Sequence, residues 1–230
     1  MILSQTLWVA VFLALIMGAY GKLVASHMRT SGKIEGTLQA RLLAQSGIDI
    51  GLAFISAQRT SRSLSEPFRI TLGEDSILIK LENESGKIDI NKAPVDLILA
   101  AAKIAGIPEQ AVGGWLTIIN QYRSLGILFN SLEQAMAVTQ VKEKNSDQFR
   151  KIYTVHSGLG FVDPNNASDQ LARVLNATGQ NQWTGTANAG AYRIVSEGHR
   201  RGGAKFSYSA TYLAQPLQQP SFRLVAFSSD

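Results

Sequence analysis

The first 21 residues carry no charged side chain, and residues 7–17 are almost continuously apolar. Few structures accept such a stretch. About 20 helical residues, rising ~1.5 Å each, cross the hydrocarbon core of a bilayer. Trp8 and Tyr20 flank the run, where interfacial aromatics belong. The pattern predicts a transmembrane helix over residues 1–21. A cleaved secretory signal is one other reading, but such signals open on a basic region and no Lys or Arg precedes the run. A buried core helix is another, and an uncharged N-terminal stretch of this length fits it less well. Leu7, Phe12 and Ile16 supply apolar bulk. Ala10, Ala14 and Gly18 recur every four residues and share one helix face. Small residues on such a face let a second helix approach closely in a membrane; in an alanine-rich span the same spacing also arises by chance.

Orientation is less direct. Lys22, Arg29, Lys33 and Arg41 all follow the span. Counting basic residues therefore places the C-terminal part in the cytoplasm. A basic leader ahead of Met1 would reverse that expectation.

Composition narrows the chemistry. Charged residues make up 17% of the 230, below the usual quarter, as an uncharged span would cause. The net charge of +5 is spread along the chain and does not mark a nucleic-acid binder by itself. The chain has no cysteine, which excludes disulfides, thiolate metal sites and cysteine nucleophiles. His27, His156 and His199 lack any metal-binding spacing, and no nucleophile elbow, Walker loop or dinucleotide fingerprint is present. Arg200, Arg201 and Lys205 read as a solvated turn. No residue takes a catalytic role, and no enzyme is expected.

Beyond the span, residues 22–59 read as further helix with an apolar stripe through Leu38, Leu42, Leu43, Gln45, Ile48, Leu52 and Ile55, with small residues around it. Gly32, Gly36, Gly47 and Gly51 either permit close helix packing or bend the helix; a break at 32–36 is the competing reading. Residues 68–72 and 76–82 alternate as two strands of a hairpin. Helices are expected at 95–105, 108–123, 131–138, 146–153 and 168–176, with Asn91 and Ser131 as caps. Strands return at 191–197, 205–214 and 222–227, with residues 198–203 as the tip of the first hairpin. Strands flanking a helical middle make an α+β chain with a helical insertion.

One segment echoes another. Gly86-Lys-Ile-Asp-Ile-Asn-Lys-Ala93 recurs as Gly160-Phe-Val-Asp-Pro-Asn-Asn-Ala167. The Asp and Asn side chains are expected to satisfy backbone donors in each turn and cap the helix after it. Asp89, Asn91, Asp163 and Asn165 as oxygen ligands for a cation are the alternative, but the clustered carboxylates that calcium wants are missing.

These pieces, in order, resemble the K class of minor pseudopilins of type II secretion (general secretion pathway protein K). The resemblance is carried by the apolar N-terminal helix, Gln39-Ala-Arg-Leu-Leu-Ala-Gln-Ser-Gly47 and the Gly86 to Asn91 turn. Phe129-Asn-Ser-Leu-Glu-Gln134 and Tyr153-Thr-Val-His-Ser157 with Val162-Asp-Pro-Asn165 extend it. It implies a pilin-like fold: a long N-terminal transmembrane helix, an antiparallel sheet and a helical insertion. The organisation expected is a membrane helix over 1–21, its continuation over 22–60, an α/β unit over 61–94 and 157–230, and the insertion over 95–156. The resemblance also implies a structural subunit at the pseudopilus tip that helps initiate assembly and export of folded proteins. Its partners would be other minor pseudopilins, the inner membrane and the secretion platform. The chain would be single-pass, with its soluble part in the periplasm. The family's acidic calcium loop is replaced here by Asn120-Gln-Tyr-Arg-Ser-Leu-Gly-Ile-Leu128, which has no carboxylate; no cofactor and no metal are therefore expected.

A second reading is a membrane-tethered DNA-binding module of a competence or DNA-uptake system. Ile104-Ala-Gly-Ile-Pro108, Tyr122-Arg123 and Phe129-Asn-Ser-Leu-Glu133 loosely resemble a helix-hairpin-helix. Such hairpins hold phosphate with glycine-turn N–H groups and nearby cations. Cations are sparse in this segment, so no nucleic-acid partner is expected.

Overall fold

Helix α1 runs from Ile2 to Ala57 without a break, about 84 Å at ~1.5 Å per residue. The computed structural model describes residues 2–57, 66–139, 141, 145–177, 184–185, 190–215 and 222–229, with backbone alone at 2–12, 14 and 139. The alternative break at 32–36 is not realised, since both glycines there are helical. The two halves of α1 differ. From residue 13 to 35 every described side chain is exposed except half-buried Val24. From Gly36 onward, Ala40, Ala44, Gly47, Ile48, Gly51 and Ile55 are buried, the three- and four-residue spacing of one helix face.

That face lies on an antiparallel sheet. Its strands are β1 (Phe68–Leu72), β2 (Asp75–Asn83), β5 (Ala191–His199), β6 (Lys205–Ala214) and β7 (Phe222–Ser229), in the order β1-β2-β5-β6-β7. Registers place Ile79, Ser196 and Tyr208 in one cross-strand row and Leu81, Ile194 and Ala210 in the next. Both rows are buried beneath α1. Residues of strand period two thus meet residues of helix period 3.6 across one apolar layer.

Between β2 and β5 the chain leaves the sheet. Two short strands, β3 (Ile88–Asp89) and β4 (Tyr153–Thr154), pair in parallel. The excursion between them therefore begins and ends side by side. It contains α2 (Val95–Ala102), α3 (Glu109–Ser124), α4 (Leu132–Thr139) and α5 (Ser146–Ile152), and α6 (Asp169–Ala177) packs against α2 afterwards. A second apolar core forms here around Trp115, Phe149 and Tyr153, which meet edge-on or tilted at 4.9–6.3 Å. The Tyr153 hydroxyl donates to the Ile98 carbonyl at 2.6 Å, so its one polar atom is satisfied inside the core.

The expected helices and sheet strands fall near their predicted places, with two corrections. The helix expected over 95–105 stops at Ala102 and continues as turns to Gly106, where φ is +78°. Asn91 does not cap it: Pro94 occupies the N-cap position of α2 without a side-chain hydrogen bond. Ser131 does cap its helix, its Oγ accepting from the Gln134 N–H at 3.2 Å. The polar loop expected over 179–190 lies largely outside the described residues.

Candidate assembly surfaces

Gly47 and Gly51 of α1 serve its contact with the sheet. A Cβ on Gly47 would lie 2.0 Å from the Ser196 Oγ and 2.6 Å from Ile77 Cγ2; one on Gly51 would lie 2.7 Å from Ile194. The sheet answers with a glycine of its own. A Cβ on Gly198 would meet the Ala40 carbonyl oxygen at 2.1 Å and the Ala44 nitrogen at 2.8 Å. Backbone here approaches backbone, which only missing side chains allow. Of the two readings, close packing holds at Gly47 and Gly51, with a sheet as the neighbour rather than a second helix; at Gly32, among the described residues, neither a close neighbour nor a bend is present.

The N-terminal half of α1 is the surface expected to meet membrane or partner helices. Leu7, Ala10, Phe12 and Ala14 lie on α1, but their side chains fall outside the described residues. Ile16 is exposed, and among the described residues nothing approaches the Cβ position of Gly18 within 4 Å. Leu13, Leu15, Met17, Tyr20 and Leu23 are exposed as well. Among the described residues, no helix is long and apolar enough to cross a membrane.

The echoed segments adopt the same local structure. Asp89 Oδ1 accepts from the Asn91 N–H at 2.8 Å, and Asp163 Oδ1 accepts from the Asn165 N–H at 3.0 Å. Each following helix begins six residues after its Asp. The segments also touch: the Asp163 N–H donates to the Ser85 carbonyl at 2.9 Å, and a Cβ on Gly86 would collide with Asn166 backbone. The other oxygen of Asp89 accepts from the Gly158 N–H at 2.7 Å and the Ser157 hydroxyl at 3.2 Å. Burial raises the Asp89 carboxyl above its ordinary value, against these bonds. Its lone pairs are directed at protein donors, and no group of three or more His, Asp or Glu among the described residues could hold a metal ion.

Asn91 fastens a loop. Its Nδ2 donates to the carbonyls of Phe129 (3.0 Å) and Val155 (3.1 Å), and its Oδ1 accepts from the Phe129 N–H at 2.8 Å. Just before Phe129, α3 ends in a left-handed turn at Gly126 (φ +68°). The N–H of Gly126 reaches Arg123 and that of Ile127 reaches Tyr122, a helix stop of the Schellman type. Tyr122 and Phe129 stack at 4.7 Å, nearly parallel. This frame holds Leu125, Ile127 and Leu128 in solvent, in the stretch that carries no carboxylate.

Arg123 decides against the helix-hairpin-helix. Its guanidinium donates inward to the carbonyls of Ile90 (2.6 Å) and Ala93 (2.7 Å). The turn at Gly106 packs on Asn145, whose Nδ2 donates to the Gly106 carbonyl. Neither group faces out to a phosphate.

At the junction of sheet and helices, a polar cleft of about 410 Å³ is lined by Lys80, Glu82, Lys87, Lys151 and Asn165. Lys87 Nζ bridges Glu82 (2.8 Å) and buried Glu84 (2.7 Å), and Lys80 holds the other Glu82 oxygen at 2.6 Å. Burial pushes the Glu82 carboxyl up, but Lys87 and Lys80 outweigh it and hold it at about 2.

No family model matches the sequence, and no curated protein matches it. Among solved structures, the chain is similar to one in the crystal structure of the GspK-GspI-GspJ complex from the enterotoxigenic Escherichia coli type 2 secretion system. The TM-score is 0.64 at 9% identity, over 88% of this chain and 99% of that one. This is a type II secretion pseudopilin fold. At 9% identity the two chains share an architecture with few of the same side chains. Spacing and burial pattern therefore carry the pseudopilin fold here, as the K-class resemblance implied. Sequence reading missed two features of it. Gly198, taken as part of a hairpin tip, stands inside β5, and Asn91, taken as a cap, is a clamp. Both depend on neighbours distant in sequence.

Proposed function

We propose that this chain is a minor pseudopilin of the K class, a structural subunit at the tip of a type II secretion pseudopilus and not an enzyme. It helps initiate filament assembly and the export of folded proteins. The observation that carries this reading is the shared architecture with a chain of the GspK-GspI-GspJ complex, end to end over that chain. The exposed N-terminal half of α1 supports it. Apolar side chains that are exposed among the described residues suit lipid first and neighbouring helices later. On this reading α1 anchors the chain in the inner membrane as a single pass. The soluble part lies in the periplasm, and other minor pseudopilins and the secretion platform are its partners. No cation is required, because the calcium-loop stretch is fastened by Asn91 and the stacked Tyr122–Phe129 pair.

Two measurements test the proposal together. A reporter that is active only after export, fused after Asp230, is expected to be active. A deletion strain is expected to secrete folded substrate only when the full chain is restored, and the chain to co-purify with companion pseudopilins. Cytoplasmic reporter activity, or secretion unaffected by the deletion, would overturn it.

A further inference from the structure

Just beyond the uncharged run, α1 carries a row of cations along one side. Lys22, Ser26, Arg29 and Lys33 stand 18 residues before Ala40, Ala44, Gly47 and Gly51, about five turns at ~3.6 residues each. The row therefore continues, above the sheet, the same helix face that is buried on the sheet. All three cations are exposed. They span about 16 Å of helix at ~1.5 Å per residue and line a shallow groove of about 510 Å³ together with Ser26 and Thr30. No Asp or Glu occurs from Met1 to Ile34. Glu35, the first, follows Lys33 by two residues and so lies on the far side of the helix, where it accepts from Gln39 at 3.2 Å. At the lower end of the row, the turn between β5 and β6 closes on α1: a Cβ on Gly36 would lie 3.5 Å from Arg200 Nη1. Arg200 thus adds a fourth cation one turn beyond Lys33, while Arg201 pairs with Glu74.

We infer that this row is a lipid-headgroup face: Lys22, Arg29 and Lys33, with Arg200 below them, bind the phosphates of anionic phospholipids at the membrane surface. Position identifies the partner. Lys22 is the first residue after the 21 uncharged ones, so with α1 in the bilayer it emerges in the headgroup layer, roughly 5–8 Å deep on each side. Helix side chains lean towards the N-terminus, which here is towards the membrane, and long cationic stems extend that reach. Arg29 thereby points back at the same layer. Lys33 and Arg200 act through the field, which decays over ~8 Å. Each cation near an anionic surface is worth about fivefold in binding. A companion helix is the wrong occupant of this side. It packs on apolar side chains, and those of this stretch, Leu23, Ile34 and Leu38, are exposed on another face. Because the row and the sheet share one side of α1, lipid held there draws the sheet-bearing side over the headgroups and fixes which way the subunit faces. The inference rests on the membrane-anchored α1 of the pseudopilin reading and adds which side of the rod meets the bilayer surface.

The test uses the full-length chain in a neutral detergent, offered phosphatidylglycerol or phosphatidylcholine, with retained lipid counted by native mass spectrometry. Phosphatidylglycerol is expected to be retained at least tenfold better. The combined variant Lys22→Gln, Arg29→Gln, Lys33→Gln should lose that preference at an unchanged melting temperature, and Arg29→Lys alone should keep most of it. Removing the same charge elsewhere, by Lys103→Gln, Arg173→Gln and Arg223→Gln together, should leave the preference in place. Glycerol 3-phosphate in tenfold excess should not displace the lipid. No preference in the natural chain, or one that survives in the first variant, would overturn the inference. So would equal loss in the second variant, which would reduce the effect to net charge, or displacement by glycerol 3-phosphate, which would make the groove a site for soluble phosphate. Co-purification with companion pseudopilins is scored on the same samples. Companions without lipid preference would overturn this face and leave the pseudopilin reading standing. Lipid preference without companions would do the reverse, and neither would overturn both.

Discussion

Gly198 and Gly113 are both glycines inside regular elements, and their surroundings make opposite demands. At Gly198 a methyl group would press on the Ala40 carbonyl and the Ala44 nitrogen of α1, which are backbone atoms and cannot turn aside. Gly198→Ala is expected to destabilise the chain by about 3 kcal/mol, at the upper end of overpacking costs. At Gly113, on an exposed turn of α3, nothing among the described residues stands within 4 Å of the Cβ position. There Gly113→Ala should stabilise by about 0.5–1 kcal/mol, from helix propensity alone. Thermal melts of the full chain in one detergent would read both, and a shared sign would refute the account of Gly198. Glu82 offers a pH test. Its folded value of about 2 is below its ordinary 4.5. Its ionised form therefore stabilises the fold above 4.5, and the contribution is lost as pH falls towards 2. Glu82→Gln should cost on the order of 2 kcal/mol at pH 6, and the gap from the natural chain should close by about pH 2. A constant gap across that range would assign the loss to shape instead of charge.

Among the elements, the strands and most helices were legible because each writes its period into adjacent residues. β6 shows its alternation from Lys205 to Ala214, and Ser131 announces α4 by chemistry that acts three residues away. What could not be read locally depends on contacts across the chain. β3 and β4 are two residues each and exist only because they find one another 65 residues apart. Asn91 looked like a cap because Asn before a helix usually is one; its partners, Phe129 and Val155, are 38 and 64 residues away. Asn91→Ala should cost about 2–4 kcal/mol, since it strands three buried backbone partners, and should expose the loop after α3 to limited proteolysis near Leu128. Unchanged cleavage there would show that the stacked Tyr122 and Phe129 hold the loop unaided. On α1, the small face at Ala10, Ala14 and Gly18 carries a separate expectation. Ala14→Leu should leave membrane insertion intact, because leucine is as apolar, yet impair co-purification with companion pseudopilins by separating helices. Intact complexes and intact secretion would assign that face to lipid alone.

For the whole molecule, two cores share one chain, one under α1 and one among the short helices. They join at the echoed Asp89 and Asp163 turns, where hydrogen bonds from Ser157, Gly158, Asn165 and Asn166 occupy the carboxylates. Stability is accordingly expected to be indifferent to calcium. A ligand that binds the folded form raises stability by RT ln(1 + [L]/Kd), so melting with and without excess chelator should coincide. A large drop on chelation would return attention to Asp89, Asn91, Asp163 and Asn165. The unbroken course of α1 has a mechanical side. With no hinge at residue 32 or 36, the helix is a stiff rod whose far end is embedded over β5, the central strand of five. Tension or thrust applied at the N-terminus travels along the rod and enters the sheet at its middle. It loads many side-chain contacts at once in shear and does not peel an outer strand away one bond at a time. A subunit pushed or withdrawn by its N-terminus would move as one rigid body.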